Sequence, residues 1–219
     1  RCPCAPIAGQ SYGKLPTAQT SSQDPATHVD VNLLLRQAKP VNKTLGLVQI
    51  SGPTDYAPPP LLHTIFQDER VPAFPAVYQV EAWDWGCKCF TGFLQSPEVT
   101  LAGMATTPGE VLRVPHSGYN IGQGKTALVL YAAPNTITLK YTGEDNVVQG
   151  YTVHISGVCV EPYLQTLYDT LHGAGRGELP ALASRQPFGR ALGTEIRVAI
   201  RDTGSWMDPR SKKDWWQGK

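Results

Sequence analysis

The sequence predicts a mainly β fold with an extended N-terminal arm held by disulfides. Three observations predict it. Glycine and proline are frequent, 21 and 19 of 219 residues, and helix-favouring runs are scarce. Short apolar stretches bounded by turn residues recur through the chain, several with period-two alternation. Four of the five cysteines stand in two C-x-C pairs, Cys2 with Cys4 and Cys87 with Cys89.

The elements follow in chain order. Residues 1–30 are rich in Pro, Ser, Thr and Gln and hold few large apolar groups, so alone they cannot offset the entropy of ordering. They are read as an arm that needs its disulfides, its own domain or a neighbouring copy to hold it. Residues 31–109 are read as a β-rich part. "VDVNLLLRQAK" (29–39) is compatible with a short helix or a strand, and "TLGLVQISG" (44–52) predicts a strand. "AVYQVEAWDWGCKCF" (76–90) alternates strictly, Val77, Gln79, Glu81 and Trp83 against Tyr78, Val80, Ala82 and Asp84. Strands are expected again in 98–106 and 110–115, then at "KTALVLYAA", "TITLKYTGEDN" and "VVQGYTVHISG". "EPYLQTLYDTLHGAG" predicts a helix with Leu164, Leu167, Tyr168 and Leu171 on one face and Gly173 to stop it. "LPALASRQPFGRALG" reads as turn, strand, turn. "GTEIRVAIRDTGSWMDP" (193–209) reads as a strand, a tight turn at Thr203-Gly204 and a stop at Pro209. Residues 211–219 read as a polar tail carrying two tryptophans.

The formal net charge is +1 with acids and bases interspersed, which argues against nucleic acid as a partner. No apolar run approaches the length of a membrane span. Arg1, with no starting Met or charged leader before it, is read as the first residue of a mature secreted product, a trimmed chain being the alternative. Two disulfides among Cys2, Cys4, Cys87 and Cys89, stapling the arm to the region of Cys87, are expected in an exported protein. A four-thiolate zinc site is the rival, although such sites usually place two residues between ligands. Cys159, in the apolar "HISGVCVEP", is expected to be a buried free thiol.

From about 110 to 210 the order of the pieces resembles the lysostaphin-type peptidoglycan endopeptidases and their LytM-like β-sheet domain. "HSGYN" (116–120) stands where that family opens with H-x-G-x-D. "ALVLYAAPNTITLKYT" and "YTVHISG" resemble its meander, "LYDTL" its LYxHL-like segment and "RQPFGRALG" its glycine turn. "TEIRVAIRDTGSWMDP" matches, without a gap, the closing H-x-H strand. The resemblance implies zinc ligands at the positions of His116, Asn120 and Arg197, and residues handling the activated water at those of Thr170 and Glu195. Only His116 keeps a family ligand. An asparagine carbonyl is a poor zinc donor, and a guanidinium has no lone pair to give and carries a fixed positive charge. Arg197 is expected to pair with Glu195 or another acid and to fill the site with a salt bridge. A shifted alignment would bring His154 or His172 into the ligand set instead.

The expected function is therefore a secreted, non-catalytic structural or binding protein on a degenerate peptidase fold, without a cofactor and self-assembling through its arm into a homo-oligomer or polymer. One alternative is an active zinc endopeptidase acting on cell-wall peptides. Another is a module binding cell-wall or surface glycan, with Trp83 and Trp85 as sugar-stacking rings. Asn42 opens a glycosylation triplet, "NKT".

Overall fold

The computed structural model describes residues 4–219. Its strands are β1 (Gly13–Pro16), β2 (Ala38–Pro40), β3 (Val77–Asp84), β4 (Cys89–Phe93), β5 (Leu101–Ala105), β6 (Val111–Arg113), β7 (Ala127–Ala133), β8 (Thr136–Lys140), β9 (Tyr151–Ser156), β10 (Val158–Val160), β11 (Glu178–Leu182), β12 (Pro187–Ala191), β13 (Glu195–Asp202) and β14 (Ser205–Met207). The helices are α1 (Pro162–Gly173) and the short α2 (Lys212–Trp215). Single 3-10 turns stand at Pro25–Thr27, Leu33–Leu35 and Leu62–Ile65.

One large sheet runs β1-β11-β7-β8-β9-β13-β5-β3-β2, with β14 beside β13 and β4 beside β3. A second, three-stranded sheet runs β10-β12-β6. The ladders of both are antiparallel. The large sheet crosses residue 110 without a break, because β13 pairs with β9 on one side and with β5 on the other. The β13–β14 turn is tight because Thr203 and Gly204 both have positive φ, 49° and 81°, which suits the twist of a two-residue hairpin.

Alternation gives the sheet two unlike faces. One face is apolar: Ile137 and Leu139, Val153 and Ile155, and Ile196, Val198 and Ile200 are all fully buried in the main core. Leu112, Val158, Val160 and Phe188 of the small sheet belong to the same core. Helix α1 packs beside β7 and β11 and adds Leu164 and Tyr168 to it. Glu161 caps that helix by accepting from the amides of Tyr163 and Leu164, and Pro162 opens it. The other face is polar over β8, β9 and β13, and toward β5 and β3 it holds a second apolar cluster of Leu33, Tyr78, Val80, Leu101 and Ala199. It carries Thr136, Thr138 and Lys140 on β8, Thr152 and His154 on β9, and Glu195, Arg197, Ala199 and Arg201 on β13.

The structure corrects several expectations. The stretch 44–52 forms no strand: Val48 makes only an isolated bridge to Ser211, because two turn glycines interrupt it. The turn–strand–turn expected over 179–193 is two strands, β11 and β12, joined by a turn. Gly189 reads as a breaker but lies in a strand, where a Cβ would collide with the Cys159 carbonyl oxygen of the neighbouring strand. The expected polar tail is anchored. Trp215 and Trp216 are 2% and 0% exposed, and their indole N–H groups donate to the carbonyls of Asp208 and Pro209.

The cysteines pair differently as well. Cys4 bonds to Cys159, and Cys87 bonds to Cys89. Cys159 is buried as expected, yet it is not a free thiol. The arm is stapled to β10 and not to the region of Cys87; Cys2 lies outside the described residues. The arm then contributes β1, which pairs with β11 of its own chain from Gly13–Ala181 to Pro16–Glu178.

Candidate functional site

The polar face of the large sheet gathers the chain's unusual chemistry. Three rows cross it in register. Lys140, Thr152, Arg201 and Trp206 form the first. Thr138, His154 and Ala199 form the second, and Thr136, Ser156, Arg197 and Gly103 the third.

The segment 28–36 covers the first two rows. The Thr138 hydroxyl donates to the Val31 carbonyl at 2.7 Å and stands 3.2 Å from His154 Nδ1. Asp30 Oδ1 accepts from Arg36 at 2.7 Å and from Arg201 at 3.0 Å. The side chains of Arg36, Arg201 and Asp30 are only 3%, 7% and 12% exposed. The remaining guanidinium donors are spoken for: Arg36 reaches the carbonyls of Val29 and Glu81, and Arg201 the carbonyl of Gly204. Both guanidinium groups lie against the Trp206 ring, at 5.2 and 4.5 Å from its centre, and His154 stacks on the same ring. Two cations thus share one buried carboxylate and one aromatic ring. Asp30 is held below the usual carboxylate range by these two arginines, which outweigh its desolvation.

His154 is fully buried and pulled down to about 3, first by desolvation and then by the charges of Arg201 and Arg36, against the opposing pull of Asp30. It is therefore neutral in the fold at neutral pH, while an unfolded histidine titrates near 6.5. The unfolded chain binds the extra proton between those values. Stability contributed by this residue is fully present above about 6.5 and is lost as pH falls toward about 3, at up to about 1.4 kcal/mol per pH unit for one proton. A His154→Gln variant should show a shallower loss of urea-denaturation stability between pH 6.5 and 4. A slope equal to that of the parent protein would refute this.

Lys140 is 0% exposed, and among the described residues its Nζ has no hydrogen-bond partner. Burial pulls its ammonium down to about 8; the charge of Glu144 opposes this and that of Arg201 adds to it. At neutral pH it still holds a charge that the fold does not satisfy. Lys140→Met should therefore raise stability by about 1–4 kcal/mol, since an apolar group of similar volume removes the desolvation penalty. A lower denaturation midpoint in urea would contradict this.

The third row holds Arg197, and Glu195 lies two residues before it on the same face of β13, opposite Ala105. Arg197 Nε donates to Glu195 Oε1 at 2.8 Å, and its guanidinium lies 4.2 Å from the centre of the Tyr78 ring. The Tyr78 hydroxyl donates to the same carboxylate at 3.0 Å. A Cβ on Gly103 would stand 2.6 Å from Glu195 Oε2, so the missing side chain is what lets the carboxylate lie across β5.

The other sequence-selected residues have other partners. His116 Nδ1 is 2.6 Å from the Ser184 hydroxyl, and its amide donates to Thr64. Asn120 is exposed and accepts from the Gly122 amide. Thr170 is exposed on α1 and bonds to the Thr166 carbonyl one turn back. His172 stacks on Tyr168 at the end of α1, with Nδ1 3.1 Å from Arg176. Among the described residues, no three of His, Cys, Asp and Glu converge as a metal site. Trp83 and Trp85 meet edge to face, with 79° between their planes, so they form no flat two-ring platform. Asn42 is exposed.

Sequence reading missed Asp30, Arg36, His154 and Trp206 as a group. Its only signal was the alternation of polar residues on three strands that lie next to one another. No helix among the described residues is long and apolar enough to cross a membrane. Comparison with family models, with curated proteins and with solved structures finds no match for this chain.

Proposed function

We propose that this chain is a secreted, non-catalytic structural or binding protein on a degenerate sheet of the lysostaphin-type peptidase kind. The observation that carries the reading is the Glu195–Arg197 ion pair, closed over by Tyr78. In the resemblance of 194–209 to that family's closing strand, those two positions correspond to its histidines. Here one is a cation with no lone pair, and the other is a carboxylate already engaged by two donors. The segment 28–36 adds to this, because it packs on the neighbouring rows where a substrate would need room. Two disulfides suit an oxidising compartment.

The test is metal uptake. After incubation with zinc and dialysis, elemental analysis should find far less than one zinc per chain. Stoichiometric zinc, removed by a chelator together with hydrolysis of a cell-wall peptide, would replace this reading with the peptidase one.

Assembly through the arm stays within this reading as an exchange between copies. The β1–β11 ladder and the Cys4–Cys159 bond are both made by the arm, and both can be formed between two chains with unchanged local geometry. Exchanged chains would migrate as covalent multimers on a non-reducing gel and as monomers after reduction.

A further inference from the structure

We infer that Cys87 and Cys89 form a thiol–disulfide exchange site that passes its disulfide to a dithiol of another polypeptide. The two cysteines close the tip of the β3–β4 hairpin with a single residue between them. Among the described residues strand β4 pairs with β3 alone, and residues 84–92 are exposed throughout, so both sulfurs face solvent at the end of a ribbon.

A bond closing so small a loop removes little freedom from the unfolded chain, so it contributes little to stability. Cys4–Cys159 is its opposite: it joins residues 155 apart, and Cys159 is 6% exposed. Exposed disulfides with little structural role are the readily exchanged ones. Two local features favour the open form. Lys88 stands between the two cysteines at φ 52°, a left-handed conformation that lysine rarely adopts and that a loop without the cross-link is freer to leave. Its ammonium stands between the two sulfurs in sequence and favours a departing thiolate. Asp84 acts against this on the Cys87 side, but its Oδ1 is already engaged by the amides of Gly86 and Cys87.

The substrate class follows from what flanks the sulfurs. Trp83 meets Phe90 across the strands at 4.9 Å and Trp85 at 5.9 Å, and Trp85 and Phe90 are 50% and 39% exposed. An apolar ring cluster beside an unpaired strand edge suits an extended, unfolded segment, which offers both apolar side chains and backbone hydrogen bonds. In the reaction a substrate thiolate attacks one of the two sulfurs, forms a mixed disulfide and expels the other as a thiolate. The substrate's second thiolate then attacks the mixed disulfide. The substrate is oxidised by two electrons to its disulfide, and Cys87 and Cys89 are reduced to thiols that take up the two protons the substrate has lost.

The experiment equilibrates the intact protein in glutathione buffers of graded ratio, alkylates it and reads each cysteine pair by peptide mass. Cys87–Cys89 should be half-reduced at a ratio at least 100-fold more oxidising than Cys4–Cys159 requires. The oxidised protein is then mixed with a synthetic apolar peptide carrying two cysteines. The peptide should be oxidised at least ten times faster than glutathione at equal thiol concentration. A Cys89→Ser variant should trap a mixed disulfide between Cys87 and an added cystine peptide, and a Cys87→Ser/Cys89→Ser variant should oxidise nothing while keeping its thermal midpoint. Reduction of Cys87–Cys89 no more easily than Cys4–Cys159, reduction without transfer, or equal rates for peptide and glutathione would each overturn the inference.

Discussion

Asp30→Ala should lower stability by about 3–5 kcal/mol, because it leaves the guanidinium groups of Arg36 and Arg201 buried with no opposite charge. For a chain of this length that is a fall of roughly 6–20 °C in the thermal midpoint. The mechanism is specific. Both arginines touch the same Asp30 oxygen. Circular dichroism melts of the parent and the variant provide the check. Replacing all three charges at once, as Asp30→Leu with Arg36→Met and Arg201→Met, should recover most of the loss, since the desolvation penalty goes with the charges. A midpoint within about 2 °C of the parent for the single variant, on that scale, would show that the carboxylate is not the counter-charge of this face.

The second large effect belongs to the arm. Cys4→Ser with Cys159→Val removes a bond between residues 155 apart. By the loop-closure argument the loss is about 5 kcal/mol, most of it as entropy regained by the unfolded chain. The native structure should open locally too. With its covalent tie gone, β1 is held at the edge of the sheet by one short ladder, the Lys14–Glu178 ion pair and the burial of Leu15. Amide exchange at Lys14 and Leu15 should therefore rise far more than at Val153 or Ile155, which sit in the centre of the sheet. Unchanged urea stability under non-reducing conditions, together with unchanged exchange at β1, would count against the bond's role.

The legible part of the fold was the part governed by local pattern. Val77–Asp84, the β7–β8–β9 run, α1 and the β13–β14 hairpin were all readable from alternation, helical spacing or turn chemistry. The Glu195–Arg197 pair was readable too, because residues two apart on a strand share a face. What escaped was decided by distant partners. "GKLP" has too few residues to show a period, and it becomes a strand only against Glu178–Ala181. Trp215 and Trp216 sit among lysines in sequence, yet their burial depends on Tyr151 and Phe74. Asp30 stood in a stretch where neither helix nor strand could be chosen, and its meaning comes from Arg201, 171 residues later. The staple of the arm escaped for the same reason: the two C-x-C pairs pointed the arm toward the region of Cys87, while the fold brings Cys4 to Cys159 on β10.

The edge position of β1 has a consequence for synthesis. Its ladder needs Glu178–Ala181, so a growing chain emerging in order cannot dock its first strand until some 160 residues more have followed. During that interval the arm stays undocked, and when β11 emerges its rim is open to the arm of any neighbouring nascent chain as readily as to its own. Crowded polysomes should then yield more cross-linked chains than dilute refolding does, from one and the same sequence.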